Sequence, residues 1–263
     1  ALALGIDVIA VGRARLVGVR ERASFDLARS LGLQNVCLQV DDAFFLEPRP
    51  KSDESAQWLE AGRRFILVTF DPSLGTAQNA QRLESLAGQL DALATAIDAD
   101  LVFVPHVGPW GAVEQSTDDR AIGRRLSELL ATPFRQIESW EPKEILWLTG
   151  QAALVVSTRY HGIVFATAAG VPALGIHSDR YTRAKLRGAL AHADLTGWAI
   201  DLSSAARGNL LTAGVELWHR RGDVRRRLVA QREKAVEMER ARWERVGEAL
   251  GLERSRVSVA ALD

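Results

Sequence analysis

Two side chains capable of chemistry interrupt an otherwise apolar segment of the sequence. Residues 155–176 have the sequence VVSTRYHGIVFATAAGVPALGI, in which Arg159 and His161 lie two residues apart. An arginine presents a planar set of hydrogen-bond donors that suits a carboxylate or a phosphate. A histidine can transfer a proton near neutral pH. Together they suggest a site for an anionic substrate whose reaction includes a proton transfer.

The predicted elements around this pair place it at the end of a strand. Residues 153–156 (ALVV) are typical of a buried strand, and a helix is predicted from about His161. Residues 157–161 would then form a turn at the carboxyl edge of a sheet, where α/β proteins bind ligands, and the helix N-terminus would favour an anion. A structural interpretation stays open, in which Ser157 or Thr158 caps the helix. In that interpretation Arg159 pairs with a carboxylate and His161 is a satisfied, partly buried histidine.

The rest of the chain alternates between short apolar strands and amphipathic helices from Arg64 onward, which predicts a Rossmann-like parallel sheet covered by helices. The predicted strands are FILVTF (65–70), LVFV (101–104), ALVV (153–156), PALGI (172–176) and WAIDL (198–202). One helix has apolar residues spaced by three and four at Leu83, Leu86, Ala87, Leu90, Leu93, Ala94 and Ile97. Further helices are predicted at DDRAIGRRLSELLA (118–131), from Pro142, and through KLRGAL (185–190).

The front segment contains similar material but too little for a full domain. It has a strand at LVGVR (16–20), a helix at ASFDLARSLGL (23–33) and a strand at NVCLQV (35–40). The charged, proline-containing segment 47–57 is typical of a linker or surface crossover. We therefore interpret residues 1–58 as the C-terminal part of an N-terminal Rossmann-like lobe that is incomplete here. Residues 59–263 would form a whole C-terminal lobe with long C-terminal helices.

Composition limits the classes of partner and compartment. Among 263 residues, Lys plus Arg balances Asp plus Glu at 33 each, which argues against a nucleic-acid partner. The single cysteine, Cys37, excludes an intramolecular disulfide and fits a reducing compartment. No apolar run has the length of a membrane span, and the N-terminal sequence is a poor signal peptide. We expect a cytoplasmic protein.

The C-terminal region is helical and heavily charged from about Arg207. Its interrupted apolar stripe consists of Val224, Leu228, Ala235, Met238, Val246 and Leu250, so one face should pack against another element. Its arginine run is typical of a solvated helix face. The alternative is contact with an anionic lipid or a lipid-linked partner at the inner face of the membrane.

A further group of cations follows the PALGI strand. Arg183, Lys185 and Arg187 lie in TRAKLRGAL, after the loop that leaves that strand. Because the loop belongs to the same sheet edge, these side chains can face the same cleft as Arg159. The alternative is again a solvated helix face.

These motifs, in this order, resemble the polysaccharide pyruvyl transferase family. The run V-S-x-R-x-H, an apolar helix, G-V-P, G-I and the downstream Lys185 match the family pattern. In VGVRERASFDLARSLGL, Arg20 and Ser24 resemble an Arg-Asp-x-x-Ser motif in which Glu21 replaces the aspartate, and VDDAFFL resembles the Asp-containing strand end that follows. A looser match is VFVPH followed by TDD, with His106 and Asp118. The Gly-rich strand–loop–helix that opens the family's N-terminal lobe is not found.

The resemblance implies a two-lobed fold like that of GT-B glycosyltransferases and a reaction in surface polysaccharide biosynthesis. An enolpyruvyl-derived unit would move from phosphoenolpyruvate to two hydroxyls of a saccharide or lipid-linked saccharide, forming a pyruvate ketal. Phosphoenolpyruvate is a donor substrate, and no cofactor or metal is expected. The implied catalytic residues are His161, as general acid, and Arg159. The substrate-binding residues expected are Arg20, Ser157, Tyr160, Lys185, His106 and Asp118.

Two other functions stay open. A GT-B-like glycosyltransferase would use the same two lobes and anion-binding turn for a nucleotide sugar. A non-catalytic fragment, or a sugar-binding or assembly module, would keep the fold without the chemistry.

Overall fold

The structure is a computed structural model that describes residues 12–51, 54–108, 118–138 and 140–252. Within these residues the strands form two parallel sheets, one of two strands and one of six. The small sheet pairs β1 (Val17–Val19) with β2 (Val36–Leu38), and α1 (Arg22–Ser30) connects them. This is the βα unit expected near the N-terminus.

The large sheet holds most of the apolar core. Its strands are β3 (Phe65–Thr69), β4 (Asp100–Phe103), β5 (Phe134–Gln136), β6 (Leu154–Ser157), β7 (Ala173–His177) and β8 (Ala199–Asp201). Every residue of β3 and β7 is buried. A parallel sheet covered on both faces requires such continuous apolar strands. The Rossmann-like prediction is therefore confirmed.

The helices of this part of the chain follow the strands in alternation. They are α2 (Ala80–Ile97), α3 (Asp119–Leu129), α4 (Pro142–Gln151), α5 (Tyr160–Ala168), α6 (Arg180–Ala191), α7 (Leu202–Ser204), α8 (Leu210–His219) and α9 (Arg221–Leu250). Short 3₁₀ turns lie at Asp42–Phe45, Glu54–Ala61, Pro72–Gly75, Ala77–Asn79 and Thr196–Trp198, and Ala205–Asn209 is a kink with non-helical backbone at Arg207 and Gly208. The seven apolar residues predicted to form the inner face of α2 are all buried.

The strand order creates a crevice at one point of the sheet edge. The order is β5-β4-β3-β6-β7-β8, so the chain moves outward from β3 to β5, returns beside β3 as β6, and then moves the other way. Ligands of open α/β sheets bind outside the carboxyl ends of the strands where the order reverses. That point lies between the ends of β3 and β6. The predicted strand-to-helix turn at residues 157–161 leaves β6 at this crevice.

Two features differ from the sequence predictions. The strand β5 was not predicted, because it has only three residues, FRQ, with an exposed arginine at its centre. The apolar stripe of α9 was predicted to include Leu250, which is wrong, since that side chain is 61% exposed. Val224, Leu228 and Ala235 are buried as expected. The domain division at residue 58 stays a prediction, and it falls between β2 of the small sheet and β3 of the large one.

The described residues contain no helix that is both long and apolar enough to cross a membrane. Cys37 is a buried free thiol.

Candidate functional site

The turn after β6 is held by its own hydroxyl groups. Ser157 Oγ accepts a hydrogen bond from the Arg159 N–H (2.9 Å) and donates one to the Arg159 carbonyl (2.7 Å). Thr158 Oγ1 accepts from the Asp71 N–H (2.7 Å), which joins the end of β6 to the end of β3 across the crevice. Ser157 is fully buried. Its hydroxyl therefore shapes the turn, and its predicted contact with substrate stays a prediction.

The helix α5 begins tightly against these strand ends. A Cβ atom at Gly162 would lie 2.4 Å from Ser157 Oγ and 2.6 Å from Thr69 Cγ2, so only glycine fits without a shift. Among the residues that the structure describes, no side chain caps the N-terminus of α5. The N–H groups of its first turn are thus available to an anion at the crevice.

Arg159 is held by two carboxylates, which together with it form what we call the Arg159 cluster (Arg159, Asp71, Asp119). Its Nη1 lies 2.8 Å from Asp71 Oδ2, its Nε donates to Asp119 Oδ2 at 3.2 Å, and its Nη2 donates to Asp119 Oδ1. The Asp119 side chain is fully buried and also accepts from the N–H groups of His106 and Val107, each at 3.0 Å. Burial raises the pKa of the Asp119 carboxyl, while the Arg159 guanidinium opposes the rise. The pairing of Arg159 with a carboxylate matches the structural interpretation.

Asp118 lies one residue away and points to its own helix. Its carboxylate caps α3 by accepting from the Arg120 N–H (2.9 Å) and pairs with Arg120 Nη2 (2.8 Å). The carboxylate that reaches the crevice is Asp119. The substrate-binding role of Asp118 stays a prediction.

A second group of polar and charged side chains adjoins the same turn and brings together half of the eight predicted site residues. We call it the Arg20 cluster (Arg20, Asp41, Tyr160, His161, Lys185). Arg20 Nη1 lies 2.5 Å from Asp41 Oδ2, and the guanidinium carbon lies 4.1 Å from the centroid of the Tyr160 ring. Burial, reinforced by the Asp41 carboxylate, raises the pKa of the Tyr160 phenol, so the hydroxyl stays protonated.

His161 stands at the exposed side of this cluster. Its Nε2 lies 3.8 Å from Asp41 Oδ1, and its side chain is half exposed. Partial burial lowers the pKa of the imidazole, and the positive charges of Arg20 and Lys185 lower it further, while Asp41 opposes them. The imidazole is therefore mainly neutral at pH 7 and accessible from outside.

Lys185 supplies the available cation. Its Nζ lies 4.2 Å from the centroid of the Tyr181 ring and 5.9 Å from that of Tyr160. Across the described ranges it makes no ion pair with a carboxylate. The other two predicted cations of α6 lie near a different histidine. Burial lowers the pKa of His177 at the end of β7, and the positive charges of Arg183 and Arg187 lower it further. Of the three cations, Lys185 is the one that faces His161.

His106 lies behind the two clusters as a neutral, buried group. Its ring centroid is 5.6 Å from that of Phe165, which also contacts His161 at 6.3 Å. Its Nε2 is buried and has no hydrogen-bond partner within the described residues. Burial, together with the charges of His161 and Arg159, lowers the pKa of the His106 imidazole to about 3.

Sequence analysis missed three carboxylates that organise the site: Asp41, Asp71 and Asp119. Each signal was present but not distinctive. Asp41 lies in VDDAFFL, Asp71 directly follows β3, and Asp119 adjoins the chosen Asp118. No three Cys, His, Asp or Glu side chains of the described residues come together as possible metal ligands.

Comparison with protein families adds the decisive observation. The family model described as polysaccharide pyruvyl transferase matches residues 7–180, about two thirds of the chain. The chain belongs to the polysaccharide pyruvyl transferase family. The matched region contains both R-x-H residues and Arg20, and it ends before Lys185. A comparison with curated protein sequences found no match.

Solved structures share the fold at low identity. A protein assigned as a UDP-N-acetylglucosamine 2-epimerase from Listeria monocytogenes has a TM-score of 0.63 and 13% identity, covering 92% of this chain and 61% of its own. A UDP-forming trehalose-phosphate synthase from Burkholderia xenovorans in complex with glucose-6-phosphate has a TM-score of 0.59 and 13% identity. The match covers 91% of this chain and 62% of the synthase. The UDP-GlcNAc 2-epimerase of Methanocaldococcus jannaschii has a TM-score of 0.54 and 10% identity. The match covers 78% of this chain and 54% of that epimerase. These likenesses show a Rossmann-like, GT-B-like fold, and this chain spans about three fifths of the first two.

Proposed function

We propose that this family member transfers an enolpyruvyl-derived unit from phosphoenolpyruvate to a saccharide and forms a pyruvate ketal. The observation that carries the proposal is the placement of the family's R-x-H histidine. His161 lies half exposed beside Asp41 and Lys185, at the N-terminus of α5. Within the described part of the chain, Lys185 has no carboxylate partner and this N-terminus has no side-chain cap. A proton donor and an anion site thus share one crevice.

The donor fits the charges of this crevice. Phosphoenolpyruvate carries a carboxylate and a phosphate, which Lys185, Arg20 and the first-turn N–H groups of α5 can bind. Arg20 Nη2 makes no hydrogen bond within the described part of the chain, so it can donate to the ligand. Arg159 is already engaged by Asp71 and Asp119. We therefore assign Arg159 to holding the turn in place, and its direct role in catalysis stays a prediction.

The reaction needs one proton delivered to carbon. When a saccharide hydroxyl adds to C2 of phosphoenolpyruvate, the methylene carbon takes a proton from the His161 imidazolium and the proton of the hydroxyl is released to solvent. A second hydroxyl then replaces the phosphate at C2, and the products are the ketal and inorganic phosphate. General acid catalysis of this kind contributes ~10²- to 10⁴-fold to the rate.

Substrate binding would prepare the acid. The pKa of His161 is lowered in the empty crevice, and a bound anion raises the pKa of a neighbouring imidazole because it stabilises the charged form. We expect activity to fall as the pH rises through the pKa of His161. This alkaline decline should occur at lower pH for kcat/KM, which reports the free enzyme, than for kcat.

The test of His161 is phosphate release by the full-length protein. The reaction would contain phosphoenolpyruvate and lipid-linked saccharides extracted from the source cells. His161→Ala should lower turnover by ~10²-fold or more, whereas His219→Ala, an exposed position on α8, should leave turnover unchanged. Undiminished turnover in His161→Ala would disprove the assigned role.

The test of the anion site is calorimetric binding of phosphoenolpyruvate. Lys185→Ala should weaken binding about tenfold or more, since a charged hydrogen bond contributes ~1.5 to 3 kcal/mol. Lys234→Ala, at an exposed position of α9, is the matched control. Equal affinity in the two variants, or no binding by the full-length wild type, would contradict the proposal.

A nucleotide-sugar glycosyltransferase is the second candidate. It is favoured by the crevice at the end of β6, where an uncapped helix N-terminus can equally bind a diphosphate. Saturable binding of a UDP-sugar, without binding of phosphoenolpyruvate, would support this candidate over the first.

A further inference from the structure

The long C-terminal helix α9 reaches from the large sheet to the small one. Near its start, Val224 and Leu228 are buried in the main apolar core. Near its end, Val246 and Ala249 line a cavity of about 380 Å³ together with residues of β1 and β2, such as Gly18. The last part of α9 therefore packs beside the small sheet, on which the Arg20 cluster depends.

The contact between α9 and the loop after β2 is polar, and it is buried on the side of α9 but exposed at Asp42. Arg242 Nη2 lies 3.1 Å from Asp42 Oδ1, and Arg242 Nη1 lies 3.4 Å from Gln39 Oε1. Glu239, one turn earlier on α9, also pairs with Arg242. The side chains of Arg242 and Glu239 are only 15% and 5% exposed. Glu239 Oε2 and Arg242 Nε are buried without a hydrogen-bond partner among the described residues.

Packing alone does not explain this group of buried charges, because burying them has a large free-energy cost. Burying charged groups costs several kcal/mol per ion in order of magnitude, and apolar side chains of similar volume would often stabilise as well or better. The best-attested use of a buried polar contact is to fix one relative arrangement of two elements. Here the two elements are α9 and residues 39–42.

The segment that α9 fixes carries the carboxylate next to His161. Gln39 and Asp42, which both contact Arg242, lie on either side of Asp41 in sequence. Asp41 in turn lies 3.8 Å from the His161 imidazole and 2.5 Å from the Arg20 guanidinium. A continuous set of contacts thus leads from α9 to the proposed acid.

We propose that Arg242 is a positioning residue for His161, because it holds residues 39–42 so that the Asp41 carboxylate stays against the imidazole. Arg242 acts through Asp42 and Gln39 and does not touch the reacting groups. The catalytic meaning of this contact rests on the proposed function. The placement of Asp41 against His161 does not, and it can be measured without turnover.

The direction of the effect follows from the charged groups that face His161. Arg20 comes from the end of β1, Lys185 from α6 and Asp41 from the loop after β2. Tyr160, the preceding residue, keeps its proton, and His106 stays neutral. Of the three charged groups, Asp41 favours the imidazolium and the other two oppose it. Any change that loosens Asp41 should therefore lower the pKa of His161.

The experiment is an NMR titration of the histidine C2–H signals in the full-length protein without substrate. This chain has five histidines, and the signal of His161 is identified as the one that His161→Gln removes. Asp41→Asn sets the scale, since an adjacent opposite charge shifts a pKa by ~1 to 3 units. Arg242→Lys and Arg242→Ala should lower the pKa of His161 by part of that amount, about half a unit or more. Arg232→Ala, an exposed position on α9, should not change it.

A further variant covers the case in which Arg242→Ala does not fold. Asp42→Asn removes the ion pair at a side chain that is 72% exposed, so the fold should tolerate it. It should shift the pKa of His161 in the same direction. If Asp41→Asn lowers that pKa while Asp42→Asn and the Arg242 variants that fold leave it unchanged, the proposal is wrong. An unchanged pKa in Asp41→Asn would also overturn it. A normal titration response with no turnover would instead refute the proposed function alone.

Discussion

The Arg159 cluster and the Arg20 cluster adjoin the same turn of α5 but differ in how completely their cations are neutralised. In the first, one guanidinium faces two carboxylates, and Asp119 is fully buried. In the second, Lys185 has no carboxylate partner within the described residues, and His161 is half exposed. Burial with full pairing favours a structural role, whereas exposure with an unpaired cation favours binding. We therefore expect different roles for the two residues of the R-x-H motif, a structural one for Arg159 and a direct one for His161.

The largest expected effect is a loss of stability when the buried pair is broken. Arg159→Ala leaves the buried Asp119 carboxylate without its cation, which should lower the free energy of unfolding by ~3 to 5 kcal/mol. Urea denaturation at pH 7 measures this change. Adding Asp119→Asn to the same chain should recover part of the loss, because it removes the unpaired charge.

Lys185→Ala is the matched change in the other cluster. Since Lys185 has no carboxylate partner in the described ranges, its truncation should alter the free energy of unfolding by no more than ~0.5 kcal/mol. A large loss of stability in Lys185→Ala, or none in Arg159→Ala, would reverse the distinction between the clusters.

The next effect is a pH dependence of stability that comes from His106, a buried group like Asp119 of the Arg159 cluster. The pKa of His106 is about 3 in the folded chain and ordinary, near 6.5, in the unfolded chain, so the unfolded state binds more protons between these values. The contribution of neutral His106 to the free energy of unfolding is therefore fully present above about pH 6.5. It decreases by ~1.4 kcal/mol per pH unit as the pH falls from there toward about 3. Between pH 7 and 4.5 the wild type should lose about 2 to 3 kcal/mol more than His106→Gln, as measured by urea denaturation. Equal losses would mean that His106 is not buried as a neutral group.

A smaller effect probes the point where the two clusters meet. Gly162→Ala places a Cβ atom against Ser157 Oγ and Thr69 Cγ2 and should destabilise by ~1 to 3 kcal/mol through overpacking. Gly88→Ala, in the middle of α2, meets nothing within 4 Å and should stabilise by ~0.5 to 1 kcal/mol. Thermal denaturation of both variants tests the contrast. If Gly162→Ala is as stable as the wild type, α5 can move away from the ends of β3 and β6 to make room for the Cβ atom.

The sequence predicted the elements better than the contacts between them. The apolar periodicity of α2 identified its inner face residue by residue, because a helix repeats its environment every three or four positions. The strand β5 escaped prediction because three residues at a sheet edge carry no such repeat.

The candidate site was predictable in location but not in pairing. The turn after β6 and its neighbour Arg20 follow from strand ends and motifs. The partners of Arg159 do not, since Asp71 follows β3, Asp119 lies in the first turn of α3, and any nearby aspartate has the same chemistry. Asp118 and Asp119 differ only in helix phase, because the first caps its own helix and the second points into the crevice.

The crevice between β3 and β6 also has a consequence for folding. The hydrogen bond that closes it joins Asp71 to Thr158, residues separated by 87 positions. Contacts this distant in sequence form slowly, because the chain must pay for closing the intervening loop before it gains the contact. Until β6 docks beside β3, each half of the chain carries unneutralised carboxylates or guanidinium groups and no crevice exists. The ability to bind the proposed anionic ligand should therefore be among the last properties to return during refolding.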